Sequence, residues 1–204
     1  MIVVHHLNAS RSHRILWLLE ELGLPYELRH YQRDPKTRLA PPELLAVNPL
    51  GKSPAIVDDG RVVIESAAIA DYIIRHHGGG RLQPDPSTPA YDDYVQWLHF
   101  AEGSAMLPLM LHLYTSRLGE AAAPLSPRID SEIANHLGHV DRSLAGRRHL
   151  LGDVFTAADI MLFDVAALAK RFKKLEPFEN VAAWHVRMQE RPAFKAAIER
   201  GGPR

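Results

Sequence analysis

The pattern of apolar and polar positions divides the chain into a first part with strands and a second part without them. Ile2–Leu7 is a short β-rich run, and apolar residues recur at helical spacing after His13. A second alternating run, a helical turn, a hairpin and a helix that starts at Ser66 follow. The predicted order over residues 1–78 is therefore β-α-β-α-β-β-α, which is typical of a thioredoxin-like α/β domain.

The second part of the chain is predicted to be all-helical. A glycine triplet and three prolines break the pattern first, so residues 79–89 are predicted to form a linker. Residues 90–204 then keep helical spacing, with a kink expected at Pro108 and the last two helices completing a bundle. One of these helices opens with Thr156 and, three residues later, Asp159, the spacing of a capping box.

Composition narrows the chemistry more than it narrows the fold. The 24 basic and 24 acidic residues balance to zero, which favours neither nucleic acid nor an anionic membrane as a partner. The chain has no cysteine, so disulfides, thiolate metal sites and a cysteine nucleophile are excluded. A reactive sulfur would have to arrive with a ligand.

Neither a metal site nor a membrane segment is expected. Among the 12 histidines, His136 and His139 share a predicted helix face, but no carboxylate or cysteine completes a metal site around them. There is no run of about 20 apolar residues, and the N-terminus lacks the basic lead of a signal peptide. These observations predict a cytoplasmic protein without a metal.

Polar groups stand at both ends of the predicted hairpin. Lys52, Ser53 and Pro54 precede its first strand, and Glu65 and Ser66 follow its second. Ser66 is a suitable N-cap for the next helix, whose free N–H groups attract a carboxylate. The strand edge beside Pro54 could pair with an extended peptide. Together these features predict a site for a small, zwitterionic, peptide-like ligand.

The motif N-P-x-G-K-x-P, followed by a hairpin and E-S, resembles the glutathione site of the cytosolic glutathione transferases. The resemblance covers the whole chain and is greatest to the serine-type classes and to theta-related bacterial and fungal members. It implies that Lys52 holds the glycyl carboxylate and that the Ser53 backbone, before a cis Pro54, pairs with the cysteinyl backbone. Glu65 and Ser66 would bind the γ-glutamyl end.

The resemblance also indicates which side chain ionises the glutathione thiol. A free thiol has a pKa of about 8.5, and a hydroxyl donor near a helix N-terminus favours the thiolate. The family pattern S-x-x-x-R matches Ser10 to Arg14. Where the family usually has proline, this chain has Ser12, which is therefore a rival donor. By spacing alone, both serines could merely cap the first helix.

The pocket for the second substrate is less defined by the sequence. By family architecture it lies between the Ser10 loop and the first helix of the second domain. Met106, Met110, Leu111 and Tyr114 are candidates to line it, although each could equally belong to the bundle core.

Three functions remain open at this point. The first is a homodimeric glutathione transferase that attacks a hydrophobic electrophile, by addition or aromatic substitution, or reduces an organic hydroperoxide. The second is a non-catalytic glutathione-binding or regulatory protein of the same fold. The third is a dedicated catabolic step such as dehalogenation, ether cleavage or isomerisation.

Overall fold

A mixed four-stranded sheet organises the first part of the chain. In the computed structural model, which describes residues 1–202, its strands lie in the order β2-β1-β3-β4. The central strand β1 (Ile2–Leu7) pairs parallel with β2 (Tyr26–Tyr31) and antiparallel with β3 (Ala55–Asp58). The strand β4 (Arg61–Ile64) closes the hairpin with β3. The thioredoxin-like prediction is confirmed.

The helices of this unit, which comprises residues 1–82 and 189–202, cover the sheet. They are α1 (His13–Leu22), α2 (Pro42–Leu45), α3 (Ser66–His76) and α9 (Pro192–Gly201). Apart from Glu20 and Glu21, every residue of α1 is buried, and the helix stops at Gly23 in the left-handed conformation (φ 63°). Thus α1 lies in the core of the unit, next to the end of β1.

The last helix, α9, packs against α1. Trp17 meets Phe194 edge-on at 5.1 Å, and Arg191 binds the Glu21 carboxylate at 2.6 Å. A side chain at Gly201 would collide with the His13 ring at 2.6 Å, so the close contact requires glycine there. The sequence analysis placed this helix in the bundle, because apolar spacing shows that one face is buried but not against which partner.

The start of α3 differs from the prediction by one residue. Its N-cap is Glu65, held at a φ of 70°, and Ser66 is the first helical residue. The prediction that Ser66 is the N-cap is therefore wrong, since the left-handed turn out of β4 falls at Glu65. Ser66 is buried at the helix N-terminus, whereas Glu65 is exposed.

The second unit, residues 83–188, contains helices and two short irregular turns of helix. Its α-helices are α4 (Pro89–Phe100), α5 (Met106–Thr115), α6 (Ser126–Leu144), α7 (Ala157–Arg171) and α8 (Glu179–Gln189). Their buried apolar residues form a separate core, in which α7 is buried along most of its length. None of the helices in residues 1–202 combines the length and apolarity that crossing a bilayer requires.

The helical pattern around Pro108 is interrupted, as predicted, but before the proline. Ala101–Ala105 form a π-helical turn between α4 and α5, and the Met106 N–H donates to the Ala101 carbonyl five residues back. A proline cannot donate to the carbonyl four residues before it and crowds that group. The wider π turn is a common way for a helix to absorb such a break.

The capping box at the start of α7 is confirmed and has further bonds. The Thr156 N–H donates to Asp159 Oδ2 at 3.0 Å. Asp159 Oδ1 also accepts from the Leu150 N–H and from Trp184 Nε1–H, each at 3.1 Å. The carboxylate is fully buried. It therefore joins the helix start, the preceding loop and α8 at one point.

Candidate functional site

Ser10 and Ser12 lie in the turn between β1 and α1, but their surroundings differ. Ser10 is partly exposed, whereas Ser12 is fully buried. Their hydroxyl oxygens are 2.7 Å apart, and Ser12 Oγ lies 2.7 Å from His6 Nδ1. Ser12 occupies the N-cap position of α1, yet its side chain makes no capping bond. The hydroxyl of Ser12 is thus directed at two side chains and not at the helix.

The side chain of Ser53 links this turn to the loop before β3. Ser53 Oγ–H donates to the His5 carbonyl at 2.8 Å and accepts from the Leu7 N–H at 3.1 Å. It also lies 3.3 Å from Ser10 Oγ. The Ser53–Pro54 peptide bond is cis, as predicted. Ser53 therefore continues the β1–β3 pairing with its side chain, where the backbone ladder has ended.

Asn48, which the sequence analysis did not assign to the site, braces the loop that carries Lys52. Its Nδ2 donates to the Lys52 carbonyl at 2.9 Å, and its Oδ1 accepts from the Leu50 N–H at 3.1 Å. The Gly51 N–H donates to the Asn48 carbonyl at 2.8 Å, and Gly51 has a φ of 60°. Asn48 is buried while Lys52 is exposed. Asn48 thus holds the loop from its buried side, and Lys52 presents its ammonium group to solvent.

Arg33 braces the turn on the other side and was also missed. Its Nε donates to the Asn8 carbonyl at 3.0 Å and its Nη2 to the Ala9 carbonyl at 3.3 Å. Asn8 Oδ1 in turn accepts from the Arg33 N–H at 2.8 Å. These bonds cross 24 or 25 residues of chain, so no local motif signals them. They fix the backbone just before Ser10.

Two neighbouring histidines of β1 differ in their contacts. His5 Nδ1 lies 2.8 Å from the Tyr31 hydroxyl, and burial followed by the charge of Arg29 lowers the pKa of His5. Burial, reinforced by His30, lowers the pKa of His6 to about 4. His6 is therefore a neutral ring beside Ser12 at neutral pH.

The candidate lining residues of the second unit separate into one core residue and three surface residues. Met106 is 4% exposed and belongs to the core. Met110 is half-buried, and Leu111 and Tyr114 are exposed. An exposed apolar stripe runs along one side of α5 and into the next turn of helix. Its members are four, three and four residues apart: Leu107, Leu111, Tyr114 and Leu118.

The histidine pair on α6 is engaged in ring and helix contacts. His139 stacks on Trp97 with centroids 5.3 Å apart, and His136 Nδ1 lies 2.6 Å from the Glu132 carbonyl. In residues 1–202 there is no cluster of three or more histidine, aspartate or glutamate side chains placed to hold a metal ion.

Comparison with known families assigns both parts of the chain. Residues 1–75 match the family model for the N-terminal domain of glutathione S-transferases. Residues 108–201 match the model for the C-terminal domain of the same proteins. The chain is 35% identical over 215 residues to Glutathione S-transferase 3 of Schizosaccharomyces pombe, covering 98% of this chain and 88% of the relative. It is 26% identical to Glutathione S-transferase 1 of Saccharomyces cerevisiae, covering 98% and 95%.

Solved structures give the same result. A glutathione S-transferase from Actinobacillus pleuropneumoniae superimposes with a TM-score of 0.89 at 32% identity, covering 98% of this chain and 93% of that one. A glutathione transferase family member from Pseudomonas fluorescens, with two glutathione molecules bound, superimposes with a TM-score of 0.84 at 28% identity, covering 97% and 92%. With both family models matched and a 35% identical relative covered over 88% of its length, the chain belongs to the glutathione transferase family.

Proposed function

We propose that this glutathione transferase is of the serine type, with Ser10 donating a hydrogen bond to the thiolate of glutathione. The observation that carries the proposal is the 3.3 Å contact between Ser10 Oγ and Ser53 Oγ. It joins the candidate donor to the cis-proline loop in one hydrogen-bonded cluster. A donor to the ionised form of a thiol lowers its pKa, and the thiolate is the nucleophile.

Burial supports Ser10 over Ser12 as the direct donor. A ligand sulfur can approach only a hydroxyl that it can reach from solvent. Ser10 is partly exposed, and its hydroxyl donates to Ser53 Oγ only over a long 3.3 Å contact. Ser12 is fully buried between Ser10 and His6. The Ser10 hydroxyl is therefore the one that can turn toward a ligand.

The remaining binding groups lie in the same unit and suit a γ-glutamyl tripeptide. Lys52 offers a solvent-facing ammonium group to a carboxylate, on a loop that Asn48 holds in place. At the other end of the hairpin, exposed Glu65 can pair with an α-amino group. The first N–H groups of α3, beginning at Ser66, can donate hydrogen bonds to the neighbouring carboxylate.

For the second substrate we propose an apolar electrophile that contacts Met110, Leu111 and Tyr114. The exposed apolar stripe on α5 supports this, because large apolar side chains grouped on a surface mark binding sites more often than isolated ones do. Met106 is left out because it is buried in the core. The choice between conjugation and hydroperoxide reduction, the homodimer and the cytoplasmic location stay predictions.

The proposal is tested by titrating the thiol of bound glutathione through the ultraviolet absorbance of its thiolate. A hydrogen bond to a charged group contributes about 1.5–3 kcal/mol, which corresponds to roughly 1–2 pKa units. We expect Ser10→Ala to raise the pKa of the bound thiol by that amount and to lower kcat at neutral pH. The glutathione dissociation constant should change little.

Ser143→Ala, which removes a hydroxyl from α6 in the other unit, serves as the control and should leave the titration unchanged. An unaltered thiol pKa and pH–rate profile in Ser10→Ala would show that Ser10 is not the donor. A second measurement uses the unmodified protein. If it binds glutathione in calorimetry but turns over neither an electrophile nor a hydroperoxide, a non-catalytic binding role would be favoured instead.

A further inference from the structure

The hydroxyl of Ser10 is the outer end of a chain of three side chains, which we call the serine relay: His6, Ser12 and Ser10. We propose that His6 and Ser12 are positioning residues that direct the Ser10 hydroxyl hydrogen toward the ligand sulfur. Both links of the relay are short, at 2.7 Å each. The inference rests on the proposed role of Ser10, and the experiment below separates the two.

Ser12 and His6 can act only through Ser10. Ser12 is 0% exposed and His6 is 1% exposed, so neither reaches a ligand directly. The Ser12 hydroxyl is also not used by the helix it precedes, because its N-cap position carries no side-chain capping bond. A buried hydroxyl held by two short side-chain contacts is thus available to orient its neighbour.

The direction of the relay decides what it does, because each hydroxyl has a single hydrogen to donate. The Ser53 hydroxyl donates its hydrogen to the His5 carbonyl at 2.8 Å, so Ser53 Oγ can only accept a hydrogen bond from Ser10. The Ser12 N–H points at Ser10 Oγ at 3.3 Å. If Ser12 Oγ–H also donates to Ser10, Ser10 keeps its own hydrogen, which points at Ser53 Oγ over 3.3 Å and can turn to a ligand sulfur.

His6 sets this direction through its tautomer. Burial keeps the ring neutral, against the opposing effect of the nearby Gly201 backbone, so it carries one N–H. Within residues 1–202, Nε2 makes no hydrogen bond of good geometry, whereas Nδ1 lies 2.7 Å from Ser12 Oγ. The relay requires the proton on Nδ1, where it donates to Ser12; a proton on Nε2 would face the Gly201 backbone and would leave Nδ1 to accept from Ser12.

With the proton on Nδ1, the proposed relay runs from His6 Nδ1–H to Ser12 Oγ–H to Ser10 Oγ–H to the thiolate. Successive hydrogen bonds polarise one another, so each donor strengthens the next. No proton is transferred along it: His6 is a weak base, and the thiol proton leaves to water. Where the family usually has proline, this chain has Ser12. A proline at this position has no hydroxyl and could form neither the hydrogen bond to His6 nor the one to Ser10.

The test measures the pKa of the thiol of bound glutathione in single and double variants. A cooperative gain of about 10–30% on a Ser10 hydrogen bond of roughly 1–2 pKa units predicts that Ser12→Ala raises this pKa by about 0.1–0.6 units. At a pH below the pKa, kcat/KM should fall by a factor of about 1.3 to 4. His6→Leu should give a similar shift, while His6→Asn, which keeps a donor near the position of Nδ1, should retain most of the effect.

The double variant distinguishes a relay from a second direct donor. If Ser12 acts through Ser10, then Ser12→Ala should cause no further shift once Ser10 is alanine. Ser12→Thr, which keeps the hydroxyl, provides a folded reference if His6→Leu does not fold.

Each other outcome overturns a defined part of the account. A raised thiol pKa in Ser10→Ala with an unchanged or lowered one in Ser12→Ala would refute the relay and leave the Ser10 proposal intact. A lowered pKa would mean that Ser12 withdraws the Ser10 hydrogen from the sulfur. A shift in Ser12→Ala that persists without Ser10 would make Ser12 the donor and refute both proposals. No shift in Ser10→Ala would refute the proposed function itself.

Discussion

Replacing His185 should remove part of the acid sensitivity of the helical unit. The His185 ring is 2% exposed and stacks on Phe163, with centroids 4.6 Å apart and an interplanar angle of 5°. In residues 1–202, neither ring nitrogen has a hydrogen-bond partner. Burial, followed by the charge of Lys170, lowers the pKa of His185 to about 4. The folded unit therefore resists protonation of this ring.

The sign and size of the effect follow from linkage. The folded pKa of about 4 lies below the ordinary value of 6.5, so between these values the unfolded chain binds a proton that the folded chain does not. Stability is thus present above the upper value and is lost as the pH falls toward the lower one. From pH 8 to pH 5, this single group should cost about 2 kcal/mol of unfolding free energy.

His185→Leu is close in volume and leaves no hydrogen bond broken. We expect its unfolding free energy at pH 8 to lie within about 1.5 kcal/mol of the wild type. Its loss between pH 8 and pH 5 should be smaller by about 2 kcal/mol. Urea denaturation followed by the fluorescence of buried Trp184 measures both quantities, and the exposed His99→Leu is the matched control. An identical pH dependence in wild type and His185→Leu would refute the reasoning.

Two further predictions concern the capping box of α7 and the proposed glutathione-binding residue Lys52. Asp159→Asn should destabilise the protein by about 2–4 kcal/mol, because both carboxylate oxygens accept from N–H donors and the amide N–H₂ of asparagine would face one of those donors. The exposed Asp153→Asn should have almost no effect on the urea midpoint. Lys52→Met should weaken glutathione binding about tenfold, the loss of one charge-assisted bond. Calorimetry compares the glutathione affinity of this variant with that of Lys36→Met, which changes an exposed lysine. Equal affinities would exclude Lys52 from the glutathione site.

Local patterns were sufficient to predict most of the fold. The β-rich run of β1 and the helical spacing of α1 depend on neighbours within a few residues, and the structure has both where the sequence placed them. The capping box is similarly local. The partner of α9 is not: its apolar face is visible in the sequence, but that it lies on α1 depends on contacts such as Arg191 to Glu21, 170 residues apart.

The site, too, has features that depend on local sequence and features that depend on contacts between distant residues. Ser10, Lys52 and the cis bond before Pro54 belong to short motifs and could be proposed from spacing and resemblance. Arg33 holds the turn before Ser10 through backbone contacts that no pattern of residue types announces, whereas Asn48 opens the N-P-x-G-K-x-P motif and only the structure shows what it binds. The contacts of Ser12 were hidden for a different reason. Its position predicts a helix cap, and only the structure shows its hydroxyl turned toward a histidine of the neighbouring strand.

A crystal structure of the complex with glutathione would show whether the Ser10 hydroxyl contacts the sulfur. We expect the sulfur within hydrogen-bond distance of Ser10 Oγ, with Ser12 still bridging Ser10 and His6. The glycyl carboxylate should lie beside Lys52. A sulfur bound by another donor, with Ser10 Oγ beyond hydrogen-bond distance, would contradict the account.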